Sequence, residues 1–298
     1  MTNPGRPGQP ILKFMNSALW GLAAALAYGI ADFCGRFTGR ALGPASALLG
    51  LMLAGAIALT LNSPYQGWHL ALDWPLFLGG LATTAAPLAL YRAMTLSSLS
   101  LVMPISAAYP ALVVPISVLT GALPGVMEWL GMGLTCLGAV VVARTAADDP
   151  DKSLAADPAN RSRAIAYAAL SSVFFTAGLM IGHYAAARHD PGTTLWVGRL
   201  AGAGTLTLVF LARRKKPNLP IRWWPVLLLQ GLLDAAAYFF FLRGAQGQHA
   251  AIAAVASSAF MVVGVLLCWL FLKEKVSLVC WSGIGLVFSG IALLSALR

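Results

Sequence analysis

The sequence predicts an all-α membrane protein with ten transmembrane helices, arranged as two inverted five-helix repeats. Three observations lead to this prediction. The chain has 298 residues, of which 59% are hydrophobic and only 10% are charged, whereas soluble domains carry about 25% charged residues. Apolar runs long enough to cross a bilayer, about 20 residues each, recur along the chain. Finally, Tyr91–Arg144 and Phe241–Leu297 match each other in sequence.

The apolar runs place the spans at regular intervals between short polar turns. We expect spans at about residues 16–36, 44–62, 74–92, 98–120, 127–144, 163–186, 192–212, 223–243, 249–272 and 277–297. Residues 1–15 form a polar tail, and the polar linker 145–162 divides a first repeat, 16–144, from a second repeat, 163–297. Because each half has an odd number of spans, the two halves have opposite orientations in the membrane.

The internal match runs at an offset of 151 residues and then, after a central turn, at 152. The matched pairs are Arg92 with Arg243, Ser106 with Ser257, Tyr109 with Phe260, Gly131 with Gly283, Gly133 with Gly285 and Gly138 with Gly290. The fourth span contains Pro104, Pro110 and Pro115, whereas the ninth span contains no proline. Because proline removes a backbone donor and kinks a helix, we expect the two halves to differ in shape here.

The Lys and Arg residues outside the spans indicate how the protein is oriented in the membrane. Fourteen Lys and Arg residues fall on the side opposite the termini, and five fall on the side of the termini. The positive-inside rule then places both termini outside the cytoplasm. The four-residue run Arg213–Lys216 lies between two apolar segments, which is typical of a loop that orients membrane helices and not of a nucleic-acid site.

Two segments carry a resemblance to a known family. The repeat-related stretches YRAM, at Tyr91, and LRGA, at Leu242, together with the ending LFLKEKVSLVCWSGIGLVFSGIALL, resemble the drug/metabolite transporter superfamily, and most closely its EamA type. The most specific part is Glu274, which is followed by spaced glycines. In the first half the corresponding turn lacks this acid, and the nearest acidic residue is Glu128.

The resemblance covers about residues 16–297 and carries expectations about fold and function. It implies ten helices in two repeats, with a central cavity lined by the first four helices of each repeat. It implies a secondary transporter, commonly an exporter of amino acids or related metabolites. It also implies that both termini lie in the cytoplasm, opposite to the charge count, and the orientation stays open between these two. We expect a multi-pass protein of a bacterial inner (plasma) membrane.

Ionisable residues inside a span are costly and mark a functional site by default. Asp234 lies in the middle of the eighth span, and Arg199 lies inside the seventh. The two side chains either pair with each other or hold the two ends of a zwitterion, with Arg199 on a carboxylate and Asp234 on an amine. A structural alternative is a neutral Asp234 hydrogen-bonded between helices. Its first-half counterpart at an offset of 150 is Thr84, so the repeat does not require an acid there.

The first span offers a second candidate. Asp32 and Arg36 lie four residues apart on one helix face, as an intrahelical ion pair or as a substrate or proton site. An offset of 151 pairs Asp32 with His183 in the sixth span. Since histidine titrates in the physiological range, we interpret Asp32 and His183 as candidates for proton coupling, with a hydrogen-bonded packing role for His183 as the alternative.

Aromatic and terminal residues complete the predicted site. Three aromatic residues lie three or four positions from these charges: Tyr28, Trp196 and Tyr238. Tyr109 and Phe260 lie at matched positions on the fourth and ninth spans, where we expect them to face each other. All five are expected to contact substrate, with lipid contact or packing as the alternative. Four charged residues near span ends are interpreted as gating or interface residues: Arg36, Arg92, Arg243 and Glu274. The alternatives are an intrahelical ion pair for Arg36, helix capping for the repeat-related Arg92 and Arg243, and a solvated turn for Glu274.

Several function classes are disfavoured. No phosphate-binding loop of the form Gly-x-x-x-x-Gly-Lys-Ser/Thr occurs, and the four cysteines are not clustered as metal ligands, so we expect no ATP drive, metal, cofactor or enzymatic activity. The expected partners are a small-molecule substrate and the lipid bilayer, with no nucleic acid, and a homodimer through the fifth and tenth spans is one expected assembly. Lipophilic-cation efflux and nucleotide-sugar exchange are the alternatives to metabolite export. A membrane-embedded enzyme and a non-transporting scaffold are less favoured.

Overall fold

The computed structural model describes residues 9–68, 70–97, 99–121, 123–146, 158–246, 249–272 and 277–296. These residues form α1 Gln9–Leu42, α2 Pro44–Gln66, α3 Trp74–Leu96, α4 Leu99–Ser106, α5 Pro110–Leu119, α6 Val126–Ala146, α7 Pro158–His189, α8 Pro191–Ala212, α9 Trp224–Gly244, α10 Ala250–Ser257, α11 Phe260–Leu272 and α12 Leu278–Ala296. A 3₁₀ turn, Ile221–Trp223, precedes α9, and no β-strand occurs within these ranges.

Length and composition identify the helices that are suited to a bilayer. Within the described ranges, six helical segments are long and apolar enough to cross a membrane: Ser17–Leu42, Pro44–Pro64, Ala159–His189, Pro191–Ala212, Ile221–Gly244 and Ala250–Phe271. Shorter apolar helices are Pro110–Leu119, Val126–Val141 and Leu278–Leu294. The predicted all-helical, multi-pass membrane fold is confirmed at this level.

Helix boundaries follow local chemistry. Proline occupies the first turn of α2, α3, α5, α8 and α9, where its missing N–H costs no intrahelical bond. At the start of α6 the Glu128 carboxylate accepts a hydrogen bond from Gly125 N at 2.8 Å. The acid that sequence comparison singled out in the first half therefore caps a helix.

The turns into α2 and α8 show how the two halves correspond. Gly43 has φ 85° and ψ 149°, and Asp190 has φ 84° and ψ 155°, with a proline following each. This backbone region is essentially restricted to glycine. Asp190 is held there in part because its carboxylate accepts a hydrogen bond from Thr193 N at 2.9 Å. The first two helices of the halves therefore correspond at an offset of 147, not 151.

This offset corrects one predicted pairing. At 147 residues His183 corresponds to Arg36, whereas Asp32 corresponds to Leu179. The interpretation that Asp32 and His183 are repeat equivalents is therefore wrong by one helical turn. The connection between the second and third helices is longer in the second half, residues 213–223, than in the first, residues 67–73, and this difference changes the register. The proposed proton role of each residue is a separate matter and stays a prediction.

The predicted fourth and ninth spans are each broken in the middle, at the same place. In the first half, Ala107 N donates to Met103 O, Ala108 N to Ile105 O, and Ala111 N to Ala108 O. In the second half, Ser258 N donates to Ala254 O, Ala259 N to Ala256 O, and Val262 N to Ala259 O. Each bond of the second half is the counterpart of one in the first at the offset of 151. The expectation that the prolines would make the halves differ in shape here is wrong.

The proline-free break has its own local cause. Ser257 Oγ donates to Ala254 O at 3.0 Å, and Ser258 Oγ donates to Val255 O at 2.7 Å. Serine hydroxyls that bond to preceding carbonyls compete with the helical ladder and bend helices. The bend between α10 and α11 thus coincides with two adjacent serines, Ser257 and Ser258. The equivalent bend of the first half coincides with Pro110 at the start of α5.

Glycines let the helices of the two halves approach closely. On α6 and α12, a Cβ at Gly138 would lie 2.6 Å from Gly283 O, and one at Gly290 would lie 2.7 Å from Gly131 O. The predicted fifth and tenth spans therefore pack against each other within the chain at these glycines, whereas a Cβ at Gly133 or Gly285 would meet nothing within 4 Å. A homodimer through the same two helices stays a prediction.

Candidate functional site

A buried ion pair joins α8 and α9 near the middle of both helices. Arg199 Nη2 donates to Asp234 Oδ2, and the two side chains are 6% and 15% exposed. Arg199 is the ninth of the 22 residues of α8, and Asp234 is the eleventh of the 21 residues of α9. The sequence-based expectation that these two charges are natural partners agrees with this geometry, while their contact with substrate stays a prediction.

Met52 of α2 completes the surroundings of Arg199. The second guanidinium nitrogen, Nη1, lies 3.1 Å from Met52 Sδ, and Met52 is 1% exposed. Met52 and Arg199 are 147 positions apart, so they are equivalent residues of the two halves. Equivalent residues that touch each other lie at the axis relating the halves. The ion pair therefore sits where the two halves meet.

Glycines bring the backbones of these helices together at the same point. A Cβ at Gly231 would lie 2.6 Å from Leu51 O, and one at Gly80 would lie 2.6 Å from Gly198 O. Gly80 and Gly231 are 151 positions apart, and each faces the second helix of the other half. At this offset the counterpart of Asp234 is Thr83, which corrects the predicted counterpart Thr84 by one residue.

Asp32 is a second buried carboxylate, on α1. It is 7% exposed and interacts electrostatically with Asp234 across the contact of α1 with α9. Among the described residues it has no cationic partner, and the predicted intrahelical pair with Arg36 is not observed. The structure thus places the Asp32 carboxylate of the first half within electrostatic range of the Asp234 carboxylate of the second, whose own partner is Arg199.

A polar link between three helices was missed by sequence reasoning. Gln230, which is fully buried one turn before Asp234, accepts a hydrogen bond from Thr38 Oγ1 at 3.0 Å and donates to Tyr91 OH at 2.6 Å. The Tyr91 hydroxyl lies against Gly35 and within electrostatic range of Asp32. The available signal was a glutamine inside a span, since buried amides need partners.

An aromatic row crosses the two broken spans. The Tyr109 and Phe260 rings stack with centroids 6.4 Å apart and planes at 16°, and Phe175 and Tyr28 extend the row at 5.9 and 6.5 Å. The Tyr109 hydroxyl lies 2.7 Å from Ser257 Oγ and donates to Ala254 O at 3.1 Å. Tyr109 and Phe260 therefore face each other as the repeat predicts, and their contact with substrate stays a prediction.

The other predicted aromatics lie at different distances from the ion pair. Tyr238 is buried, interacts electrostatically with Arg199, and donates its hydroxyl proton to Gly178 O at 3.1 Å. Trp196 turns away from the pair, because its Nε1 donates to Thr60 Oγ1 on α2 at 2.9 Å. The structure therefore assigns Trp196 a contact between helices, and its predicted substrate role is untested.

The remaining predicted residues lie away from the ion pair or outside the described residues. His183 is half-buried on α7, and no contact with Asp32 is observed among the described residues. Arg92 and Arg243 are exposed, and the Arg243 guanidinium lies 5.3 Å from the Phe239 ring centroid. Glu274 falls outside the described residues. The gating roles of these residues stay predictions.

A polar cluster joins the start of α3 to the end of α7. Asp73 Oδ2 accepts a hydrogen bond from His189 Nε2 at 2.8 Å, and Arg188 Nε lies 3.9 Å from the same oxygen. The hydrogen bond from His189 lowers the pKa of Asp73 below its ordinary value, and the Arg188 charge adds to the effect. Arg188 also donates to Tyr184 OH at 2.5 Å.

The cavity between α2 and α8 is apolar. Its volume is about 610 Å³, and it is lined by Leu53, Ala56, Ile57, Thr60, Leu61, Leu200, Ala203, Gly204, Thr207 and Leu208. No cluster of metal-ligating side chains is found among the described residues. Cys34, Cys136 and Cys280 are free thiols.

Comparisons with known proteins agree with this architecture. The model of the EamA-like transporter family matches residues 15–144 and 162–296. A solved structure, titled only "Crystal structure of protein", aligns with a TM-score of 0.76 and 19% identity over 95% of this chain and 99% of that chain. At this identity the likeness shows the fold alone. No curated protein matches the chain significantly.

Proposed function

This chain belongs to the EamA-like transporter family, within the drug/metabolite transporter superfamily, and we propose that it is a secondary active transporter of small metabolites. It exports its substrate, amino acids or related compounds, by alternating access across a bacterial inner membrane. The two matched segments, 15–144 and 162–296, form two inverted five-span repeats. The broken segments α4–α5 and α10–α11 each count as one span, which gives ten.

The observation that carries the proposal is the buried Arg199–Asp234 pair at the contact of equivalent residues Met52 and Arg199. Transporters built from inverted repeats bind their substrates near the bilayer midplane at the repeat interface. Charged side chains at that depth are costly in a membrane and are retained for function. The pair satisfies both conditions.

The contact of α2 with α8 supports inversion of the repeats. Met52 contacts Arg199, and Thr60 contacts Trp196, so residue numbers rise along α2 while they fall along α8. These two equivalent helices therefore run antiparallel where they touch. A two-fold axis that relates antiparallel helices lies perpendicular to them, and such an axis lies in the membrane plane when the helices span the membrane.

In the proposed mechanism the substrate competes with the internal ion pair. Arg199 offers a planar donor for an acidic group, and Asp234 offers an acceptor for an amine. Binding opens the pair, and rocking of one repeat against the other exposes the site to the opposite side. The matched breaks after Ser106 and Ser257 are the points at which the helices bend. Proton coupling or exchange drives the cycle.

Two alternatives differ in the charge of the substrate. Lipophilic-cation efflux is the second candidate, favoured by the buried Asp32 one turn from the Tyr28 ring. Nucleotide-sugar exchange requires several cations facing the site, and is less favoured because Arg199 is the cation at the site among the described residues and is already paired.

A metabolite screen in proteoliposomes tests the proposal. Wild-type protein, Asp234→Asn and a matched control, Glu128→Gln, are reconstituted in vesicles loaded with a small-molecule cell extract, with and without an imposed pH gradient. We expect specific compounds to leave wild-type and control vesicles and to stay in Asp234→Asn vesicles, as measured by mass spectrometry. If folded wild-type and Asp234→Asn proteins release the same compounds at the same rates, the site assignment fails.

A further inference from the structure

Arg199 and Asp32 differ in how their charges are balanced. Both guanidinium terminal nitrogens are engaged, Nη2 by Asp234 and Nη1 by Met52 Sδ. Asp32 is 7% exposed, and no cation among the described residues pairs with it. When all three groups are ionised, the two carboxylates and one guanidinium leave one negative charge. A buried uncompensated charge inside a membrane span is strongly disfavoured.

The titratable groups around Asp32 do not supply the missing positive charge. Asp234 on α9 is itself acidic, and Tyr91 on α3 and Cys34 on α1 are neutral groups within electrostatic range. Arg36 on the same helix has its own partner. The described residues of α2, α10, α11 and α12, which also pack against α1, contain no charged side chain. The arginines of α3 and α9, Arg92 and Arg243, are exposed. A proton or an external cation must neutralise the cluster.

The surroundings of Asp32 indicate the shape of that cation. Tyr28 lies one turn before Asp32 on α1, is half-buried, and meets the edge of Phe260 with centroids 6.5 Å apart. Phe260 stacks in turn on Tyr109. Aromatic faces attract ammonium groups and pack against apolar bodies. An amine with an aromatic or apolar body fits this arrangement: its ammonium pairs with Asp32, and its body lies along the aromatic row.

We propose that Asp32 is an ammonium subsite, so that the transported substrate carries a cationic amine and exchanges one for one with a proton at this carboxylate. This inference rests on the proposed function and narrows its substrate class. When the ammonium group binds, the Asp32 proton leaves to water, and the carboxylate pairs with the ammonium. On the other side of the membrane a proton returns to Asp32 as the amine leaves. The exchange is electroneutral.

Binding measurements with four related probes test the subsite. The purified full-length protein is titrated at pH 7 with 2-phenylethylamine, 2-phenylethanol, 3-phenylpropionate and phenylalanine, which share a ring and differ in head-group charge. We expect the amine and phenylalanine, which both carry an ammonium group, to bind more tightly than the alcohol and the acid. We expect the amine to release one proton for each molecule bound, as measured with a pH indicator dye in weak buffer. Tighter binding of the alcohol or the acid than of the amine, or amine binding without proton release, overturns the inference.

Substitutions locate the effect. Asp32→Asn is expected to weaken amine binding by at least about 30-fold and to abolish proton release, whereas Asp32→Glu retains both and Glu128→Gln behaves as wild type. Asp32→Glu keeps the test valid if Asp32→Asn does not fold, since loss of proton release in folded Asp32→Glu contradicts the subsite. If Asp32→Asn keeps amine binding and proton release while Asp234→Asn loses them, the inference is wrong and the proposed function stands.

Discussion

Positions 52 on α2 and 199 on α8 occupy the same place in the two halves of the molecule, yet one is methionine and the other arginine. The backbones around them agree closely: Gly43 and Asp190 share one turn conformation, and Gly80 and Gly231 make equivalent close approaches. The side chains where the halves meet differ, since the first-half counterpart of Asp234 is Thr83. Matching backbones thus hold an ion pair whose two charges both come from the second half.

The largest expected effect comes from removing either charge of the pair. Arg199→Met leaves Asp234 unpaired, and Asp234→Asn leaves Arg199 unpaired, so each is expected to reduce the free energy of unfolding by about 3–5 kcal/mol. Substrate flux for each unit of folded protein is expected to fall at least about 100-fold. Thermal unfolding and proteoliposome flux measure the two effects separately.

A conservative substitution of Met52, the equivalent position of the first half, is the matched control. Met52→Leu removes the sulfur contact with Arg199 and conserves side-chain volume, so it is expected to cost less than about 1.5 kcal/mol and to retain most of the flux. Equal loss of flux in Met52→Leu and Arg199→Met would show that positions 52 and 199 contribute equally to the site and would contradict a dominant role for Arg199.

The close approaches of the halves provide a smaller effect. Gly80→Ala and Gly231→Ala each place a Cβ 2.6 Å from a carbonyl oxygen of the other half, and are expected to lower the free energy of unfolding by about 1–3 kcal/mol. The controls are Gly133→Ala and Gly285→Ala, whose added Cβ atoms meet nothing within 4 Å. Thermal unfolding that ranks the controls with the first pair would contradict this packing.

Removing a hydrogen bond that joins the two broken spans is expected to lower the free energy of unfolding by less than either substitution of Gly80 or Gly231. Tyr109→Phe removes the donor to Ala254 O and the contact with Ser257 Oγ, at a cost of about 1 kcal/mol. Hydrogen exchange of the amides around Ser257 is expected to accelerate, and flux is expected to fall several-fold. Ser257→Ala retains the bond to Ala254 O and should show a weaker change. A larger change in Ser257→Ala than in Tyr109→Phe would reverse this order.

The smallest expected effect lies at the exposed Asp73 cluster, which has no counterpart in the second half, where Trp223 precedes α9. Because the His189 hydrogen bond lowers the pKa of Asp73, the stabilisation is present above the ordinary aspartate pKa of about 3.9 and is lost as the pH falls through the lowered value. Wild type should unfold at a slightly higher temperature than Asp73→Asn at pH 6, and the difference should vanish in stronger acid. A difference that grows in acid contradicts this linkage.

The sequence predicted those parts of the fold that depend on local composition. Apolar run lengths placed the helices within a few residues, and the run of arginines and lysines after α8 fell outside a span. Arg199 and Asp234 were expected either to pair or to hold the two ends of a zwitterion, because charge inside an apolar run is costly wherever the helix packs. These inferences need no knowledge of which helix touches which.

The parts that sequence did not predict depend on register and tertiary contacts. The offset of 147 was not readable from the match at 151, so His183 was assigned to the wrong equivalent residue. No proline precedes Phe260 in the ninth span, so the sequence contained no signal of the break there. The break coincides with two serines whose hydroxyls donate to carbonyls of the preceding turn. The bond from Trp196 to Thr60 and the link of Gln230 to Thr38 and Tyr91 join helices distant in sequence.

The double variant Arg199→Met/Asp234→Thr tests whether substrate recognition depends on the two charges of the second half, because it gives that half the residues that the first half carries at the equivalent positions. Neither charge is then left unpaired, so the variant should recover most of the stability that Arg199→Met loses. Its substrate flux in proteoliposomes, for each unit of folded protein, should nevertheless stay at the level of empty vesicles. A folded double variant that transports substrate at a rate near wild type would show that recognition does not depend on this pair.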